Sequence, residues 1–172
     1  MALLPILVAP HPVLKQKAKP VAKVDARVAT LMDDMLETMY DAQGIGLAAP
    51  QIGVLDRVIV VDVHEKDEPS RPLKMANPEI VWASDEQVPC EEGCLSVPEQ
   101  YAEVTRPKAV RVRYLDQQNE IRELEAEGML ATCIQHEIDH LNGVLFVDHL
   151  SMLKRSMILR KLQKQQRQGA TA

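Results

Sequence analysis

Apolar residues recur along the N-terminal part of the chain at intervals of three and four. Val28, Leu31, Met32, Met35, Leu36 and Met39 make one stripe of an amphipathic helix, with Asp25 placed to cap its start and Gly44 to stop it. The pattern then changes period. Residues 57–63 are rich in β-branched side chains and predict a buried strand, and residues 80–82 predict a further extended piece after Pro78. In Ala109–Leu115, Val110, Val112 and Tyr114 alternate with Arg111 and Arg113, which predicts a strand with one wet face; residues 117–119 then turn the chain into 121–124. Helical spacing returns over Gly128–Leu141, closed by Gly143, and again over 150–168, where Leu150, Leu153 and Met157 open an apolar stripe expected to anchor that helix. Strands in the middle with helices toward the ends predict an α+β fold. Its mixed or antiparallel strands pack around a central helix, with an amphipathic helix before them and a basic helix after.

Composition narrows the functional classes. With 172 residues, 46% hydrophobic and 26% charged, the chain reads as a single domain over residues 1–172. Aromatic residues are only 3%, so the core is built from aliphatic side chains and eight methionines, and a platform for stacking nucleic-acid bases is excluded. Dedicated DNA binding is therefore not expected. Charge is divided unevenly: residues 1–149 carry 14 basic and 25 acidic side chains, a net of −11, while residues 150–172 carry six basic and none acidic. No apolar run has the length of a membrane span, and three cysteines, an odd number, argue against a disulfide framework. A soluble, monomeric, cytoplasmic protein is expected.

The helix over Gly128–Leu141 carries His136-Glu137-Ile138-Asp139-His140, an H-E-x-x-H pattern. Histidines four apart on a helix project from one face and can share one metal, and the intervening Glu can reach a water beside it. A shuffled chain of this composition would contain the pattern with an expectation of roughly 0.01. The core stripe Leu130, Ile134, Ile138 and Leu141 faces one way; His136 and His140 face nearly opposite, alongside Met129, Thr132 and Cys133. A helix with such a second face is buried on both sides, so another segment must cover the histidines and supply a third ligand. Cys94, in Glu92-Gly93-Cys94-Leu95-Ser96, is the best placed cysteine, because it alone sits in a glycine-flanked, non-periodic segment. Two His and one Cys leave a fourth position for water, the mark of a catalytic rather than a closed structural site. A third segment, residues 44–51 (GIGLAAPQ), combines small residues that permit close backbone approach with the amide donor of Gln51.

GIGLAAPQ, EGCLS and QHEIDH, in this order, resemble the three signature motifs of peptide deformylases, and every fixed motif position matches. The resemblance implies a metal-dependent hydrolase that removes the N-terminal formyl group from formyl-methionine of newly made polypeptides, releasing formate. It implies a metal held by Cys94, His136 and His140, with Fe²⁺ the usual ion and Ni²⁺, Co²⁺ or Zn²⁺ able to substitute. It implies Glu137 as general base, and the Gln51 amide with the backbone N–H of Leu95 as donors to the developing oxyanion. Extended peptide would lie along Ile45, Gly46 and Gly93, and the methionine pocket would include Ile45, Cys90, Glu92, Met129, Thr132 and Cys133. Thr132 replaces an aliphatic residue common in relatives, Tyr101 replaces an arginine found in some, and Arg106 with Asp139 matches a pair that braces the helix. Two other readings remain open from the residues: an H-E-x-x-H metallopeptidase, and a non-catalytic metal module that docks on the ribosome. The basic tail, 150–172, is itself a candidate ribosome contact.

Overall fold

The computed structural model describes the backbone of residues 2–171 and the side chains of residues 2–167. Helix α1 (Ala26–Asp41) starts as its stripe predicts: the Asp25 carboxylate accepts a hydrogen bond from the Val28 N–H at 3.0 Å, and Val28, Met32, Met35 and Met39 are buried. Its end corrects the expectation for Gly44. The left-handed residue is Gln43, at φ 59°. Gly44 is small for a different reason, because a Cβ there would lie 2.7 Å from Leu95 Cδ1.

Seven strands follow: β1 (Gly46–Ala48), β2 (Val58–Val61), β3 (Leu73–Ala83), β4 (Gln87–Cys94), β5 (Val97–Pro107), β6 (Ala109–Leu115) and β7 (Ile121–Glu127). Five form one antiparallel sheet in the order β1-β2-β3-β6-β7, while β4 and β5 pair as a separate antiparallel hairpin. The alternation in β6 is realised, with Val110 and Val112 fully buried and Arg111 and Arg113 reaching across to Glu125 and Glu123 on β7 at 2.7 and 2.9 Å. Exposed cross-strand pairs of this kind contribute about 0.2–1 kcal/mol each and fix register more than they add stability. The piece expected at 80–82 is the distal end of the much longer β3, which two register shifts bend.

Strand β1 and the β4–β5 hairpin have no counterpart in the sequence pattern. Pro89, Gly93 and Pro98 break the alternation there, and the strands exist because they pair over a long register, Gln87 opposite Pro107 through Gly93 opposite Tyr101.

Helix α2 (Gly128–Leu141) lies between the two layers. One side, with Ile134, Ile138 and Leu141, packs on Ile59, Val61, Val110 and Val112 of the sheet. The other side meets the hairpin and β1, so that Ala131 through Ile138 are all buried. The expectation of a helix covered on both faces is met.

Helix α3 (Met152–Thr171) corrects the expected tail stripe. Leu153 and Met157 are 72% and 49% exposed, and Leu150 lies before the helix begins; the helix docks through Ile158 and Leu162, four residues apart, onto Leu14, Val97, Val104 and Phe146. Leu153 precedes Ile158 by five positions, roughly 140° around the helix, so both cannot face the core. Among the described residues no helix is long and apolar enough to cross a membrane.

Candidate active site

Strand β4 ends on Cys94, which the hairpin layer presents to the face of α2 that the sheet does not cover. Cys94 Sγ lies 3.2 Å from His140 Nε2, and the thiol and one nitrogen of each of His136 and His140 fall within 4.8 Å of one another. One thiolate and two imidazoles at this separation suit a borderline divalent metal. The donor set also has the supports such a metal needs. His136 Nδ1 is bound to Glu92 Oε1 at 2.9 Å, which directs its Nε2 toward Cys94. Burial pushes His140 well below the usual histidine range and keeps it neutral, the form that ligates. Burial acts the same way on His136 but is outweighed by Cys94 and Glu92, which raise it well above that range.

Glu137 projects from the same turn of α2. It is 4% exposed, and its Oε1 has no hydrogen-bond partner. Burial pushes its carboxyl up to about 7 against the pull of His136. A carboxyl titrating there is poised to take and return a proton near neutrality. The backbone of β1 approaches it closely: a Cβ at Gly46 would fall 2.4 Å from Glu137 Oε2 and 2.8 Å from Cys133 Sγ, so any larger residue would displace the acid. Gln51 stands in the short turn Ala49–Ile52, 1% exposed. Its Oε1 accepts from the Ala48 N–H at 2.9 Å, and its Nε2 donates to Ser96 Oγ at 3.1 Å with Cys94 Sγ at 3.5 Å. The carbonyl end is therefore fixed and the amide end points at Cys94, with one weak contact available for exchange.

These groups open on a cavity of about 380 Å³ lined by Ile45, Gly46, Gly93, Leu95, Met129, Thr132 and Cys133 together with Gln51, Cys94, His136 and Glu137. One sequence expectation is corrected here. Cys90 does not line the cavity, which β4 borders with its next residues, Glu91 to Cys94. Glu92 lines the cavity, and its carboxylate is gripped by Arg106 Nε at 2.6 Å and Nη2 at 2.9 Å as well as by His136. Burial raises Glu92, yet its bonds to His136 and Arg106 outweigh this and hold it below the usual carboxylate range. It orients a histidine from the border of the cavity. Arg106 also donates from Nη1 to Asp139 at 2.8 Å, the pair expected from the resemblance. Sequence reasoning gave no role to Ser96, Phe146 or His149. The first sits inside a recognised motif; the other two carry no local signal and come to the site only through tertiary packing.

The deciding observation is that known proteins share both this chain's sequence and its fold. The model of the polypeptide deformylase family matches residues 3–156. The peptide deformylase of Phenylobacterium zucineum is 60% identical over 164 residues, covering 95% of this chain and 97% of that protein. The chain belongs to the peptide deformylase family. A second relative, the peptide deformylase of Bartonella quintana, is 54% identical over 95% of this chain and 93% of its own length. Among solved structures, peptide deformylase from Ehrlichia chaffeensis superposes with a TM-score of 0.95 at 40% identity, covering 98% of this chain and 99% of that one. The same enzyme in complex with actinonin gives a TM-score of 0.93 at 43% identity over 97% and 99% of the two chains. Peptide deformylases are metalloenzymes that hydrolyse the formyl group from the N-termini of nascent polypeptides, and this chain is such a hydrolase.

Proposed function

We propose that Cys94, His136 and His140 hold the metal, that Glu137 is the general base, and that Gln51 with the backbone N–H of Leu95 stabilises the oxyanion. The observation that carries this reading is the meeting of the three ligand atoms within 4.8 Å beside a buried, unpartnered carboxylate. A divalent ion held by this set supplies Lewis acidity, acidifying water and polarising a carbonyl. Glu137 takes a proton from the attacking water as its oxygen bonds to the formyl carbon. Gln51 Nε2 and Leu95 N–H donate to the formyl oxygen as negative charge gathers there. When the C–N bond breaks, Glu137 returns the proton to the leaving amine, and formate and the free N-terminus depart.

Ile45, Gly46 and Gly93 offer extended backbone along which a peptide can lie, a mode that tolerates many sequences beyond the first residue. Met129, Thr132 and Cys133 form the wall expected to receive the methionine side chain. Fe²⁺ is the proposed physiological ion, and Ni²⁺, Co²⁺ and Zn²⁺ suit the same donors. One chain supplies every ligand, so the working unit is proposed to be a monomer. The exposed Lys154, Lys161, Lys164 and Arg167 of α3 form a basic face proposed to meet ribosomal phosphate. By analogy with the actinonin complex of the Ehrlichia enzyme, the same cavity is expected to take that inhibitor.

The test is anaerobic purification with elemental analysis and an assay on formyl-Met-Ala-Ser beside Met-Ala-Ser. Formate release from the first, no cleavage of the second and one metal per chain are expected. Cleavage of the unformylated peptide would favour a metallopeptidase.

A further inference from the structure

The short turn Phe146–His149 reaches His136 by two routes. Phe146, 1% exposed, stacks on the His136 ring with centroids 6.1 Å apart and planes 29° apart. His149 reaches it through a chain of charged groups. Its Nε2 lies 2.8 Å from Asp139 Oδ2, an oxygen that also accepts from Arg106 Nη1 at 2.8 Å. The other two arms of the same guanidinium grip Glu92, which accepts from His136 Nδ1 at 2.9 Å. Side-chain exposure falls along this path from 39% at His149 and 24% at Asp139 to 6% at Arg106, 4% at Glu92 and 8% at His136.

A guanidinium is a rigid plane, so fixing the acceptor of one arm fixes the direction of the others. Glu92 is held bidentately and therefore transmits that direction to the imidazole it binds. Asp139 is the weak point, because it is the outermost acceptor on Arg106 and is partly open to water. His149 closes it by donating to the oxygen that already receives Arg106. The turn, which lies outside the three motifs, is thus anchored to His136 from the ring face by Phe146 and from the ring edge through Asp139, Arg106 and Glu92.

On the reading that Cys94, His136 and His140 are the ligands, we propose that His149 and Phe146 are positioning residues that hold the His136 ring and so set how firmly the metal is retained. The test replaces His149 with Leu, which keeps bulk and loses the donor, and with Gln, whose amide nitrogen is as many bonds from Cβ as the histidine Nε2. Each protein is loaded with Co²⁺, and its visible spectrum and its loss of metal to a chelator are followed. His149→Leu is expected to release Co²⁺ about three- to tenfold more readily, a smaller effect than direct partners of ligating histidines give, and to shift the ligand-field bands. His149→Gln should stay within about twofold of the parent. Unchanged retention and spectrum in His149→Leu, or equal loss in both variants, would overturn the proposal. Phe146→Leu, compared in the same way, should also shift the spectrum, and an unaltered one would remove Phe146 from the proposal. A parent protein without a thiolate-to-cobalt band would instead refute the ligand set itself.

Discussion

Glu137 is a ligand neighbour but supplies no atom to the ligand cluster, and this separates its role from that of the histidines. Glu137→Gln should retain one metal per chain while formate release falls by about two to four decades, the range of a positioned acid and base. A metal-free variant would reassign the residue. At Thr132, 5% exposed on the cavity wall, a hydroxyl stands where a methyl would fit. Exchanging one for the other in a pocket is worth at most about 1–3 kcal/mol, so Thr132→Val should raise the kcat/KM preference for formyl-Met over a smaller polar first residue. The comparison is a competition assay with two formyl-peptides, and an unchanged ratio would place the methionine side chain elsewhere.

At the scale of elements, α3 has two faces with different duties. Leu162 is fully buried, which contributes roughly 2 kcal/mol and makes removal of the helix a test of folding instead of partner binding. The basic face is better tested by charge. Replacing Lys161, Lys164 and Arg167 with Gln leaves the buried Ile158 and Leu162 in place. Hydrolysis of a short formyl-peptide should stay within about threefold, since the substitutions touch no site group, whereas cosedimentation with ribosomes should weaken and lose most of its salt dependence. The same salt slope in variant and parent would make the helix a packing element only.

For the whole molecule, Asp62 is a tie between parts distant in sequence. Its side chain is buried and accepts from Tyr40 at the end of α1, from Ser70, from the Arg71 N–H at 2.9 Å and from His64 at 2.9 Å, while its own N–H holds the Ile45 carbonyl beside the cavity at 2.9 Å. Burial raises its carboxyl, but these bonds outweigh burial and lower it to about 2. A depressed acid stabilises the fold above its unfolded value near 4, and that stability is lost as pH falls toward 2. Asp62→Asn should therefore lower the urea midpoint at pH 7 and flatten its decline over that acidic interval. A parallel decline in both proteins would deny Asp62 this role. The metal chemistry also acts on the whole enzyme. With a thiolate ligand beside it, an Fe²⁺ form should lose activity in air far sooner than a Ni²⁺ form, because sulfur or iron is oxidised; equal lifetimes in air would speak against Cys94 as ligand.

How much was legible in the chain follows from where each signal resides. Periodicity is local, so α1, α2, β6 and the two-sided burial of α2 could be read directly, and so could the placing of His136 and His140 on one face of α2. The motif EGCLS named Cys94, but only the packing of the β4–β5 hairpin on α2 brings its sulfur to 3.2 Å from His140. Long-range pairing made strands of segments that proline and glycine interrupt, and it also set which side of α3 docks. It left Cys90 outside the cavity and made Glu92, at the cavity border, the carboxylate that orients His136. The sequence by itself determined the donor atoms and the chemistry they can perform. Tertiary structure alone decided their spacing, the desolvation that raises Glu137, and the Arg106 fork that holds the histidine, because each depends on groups that meet only after distant segments have packed.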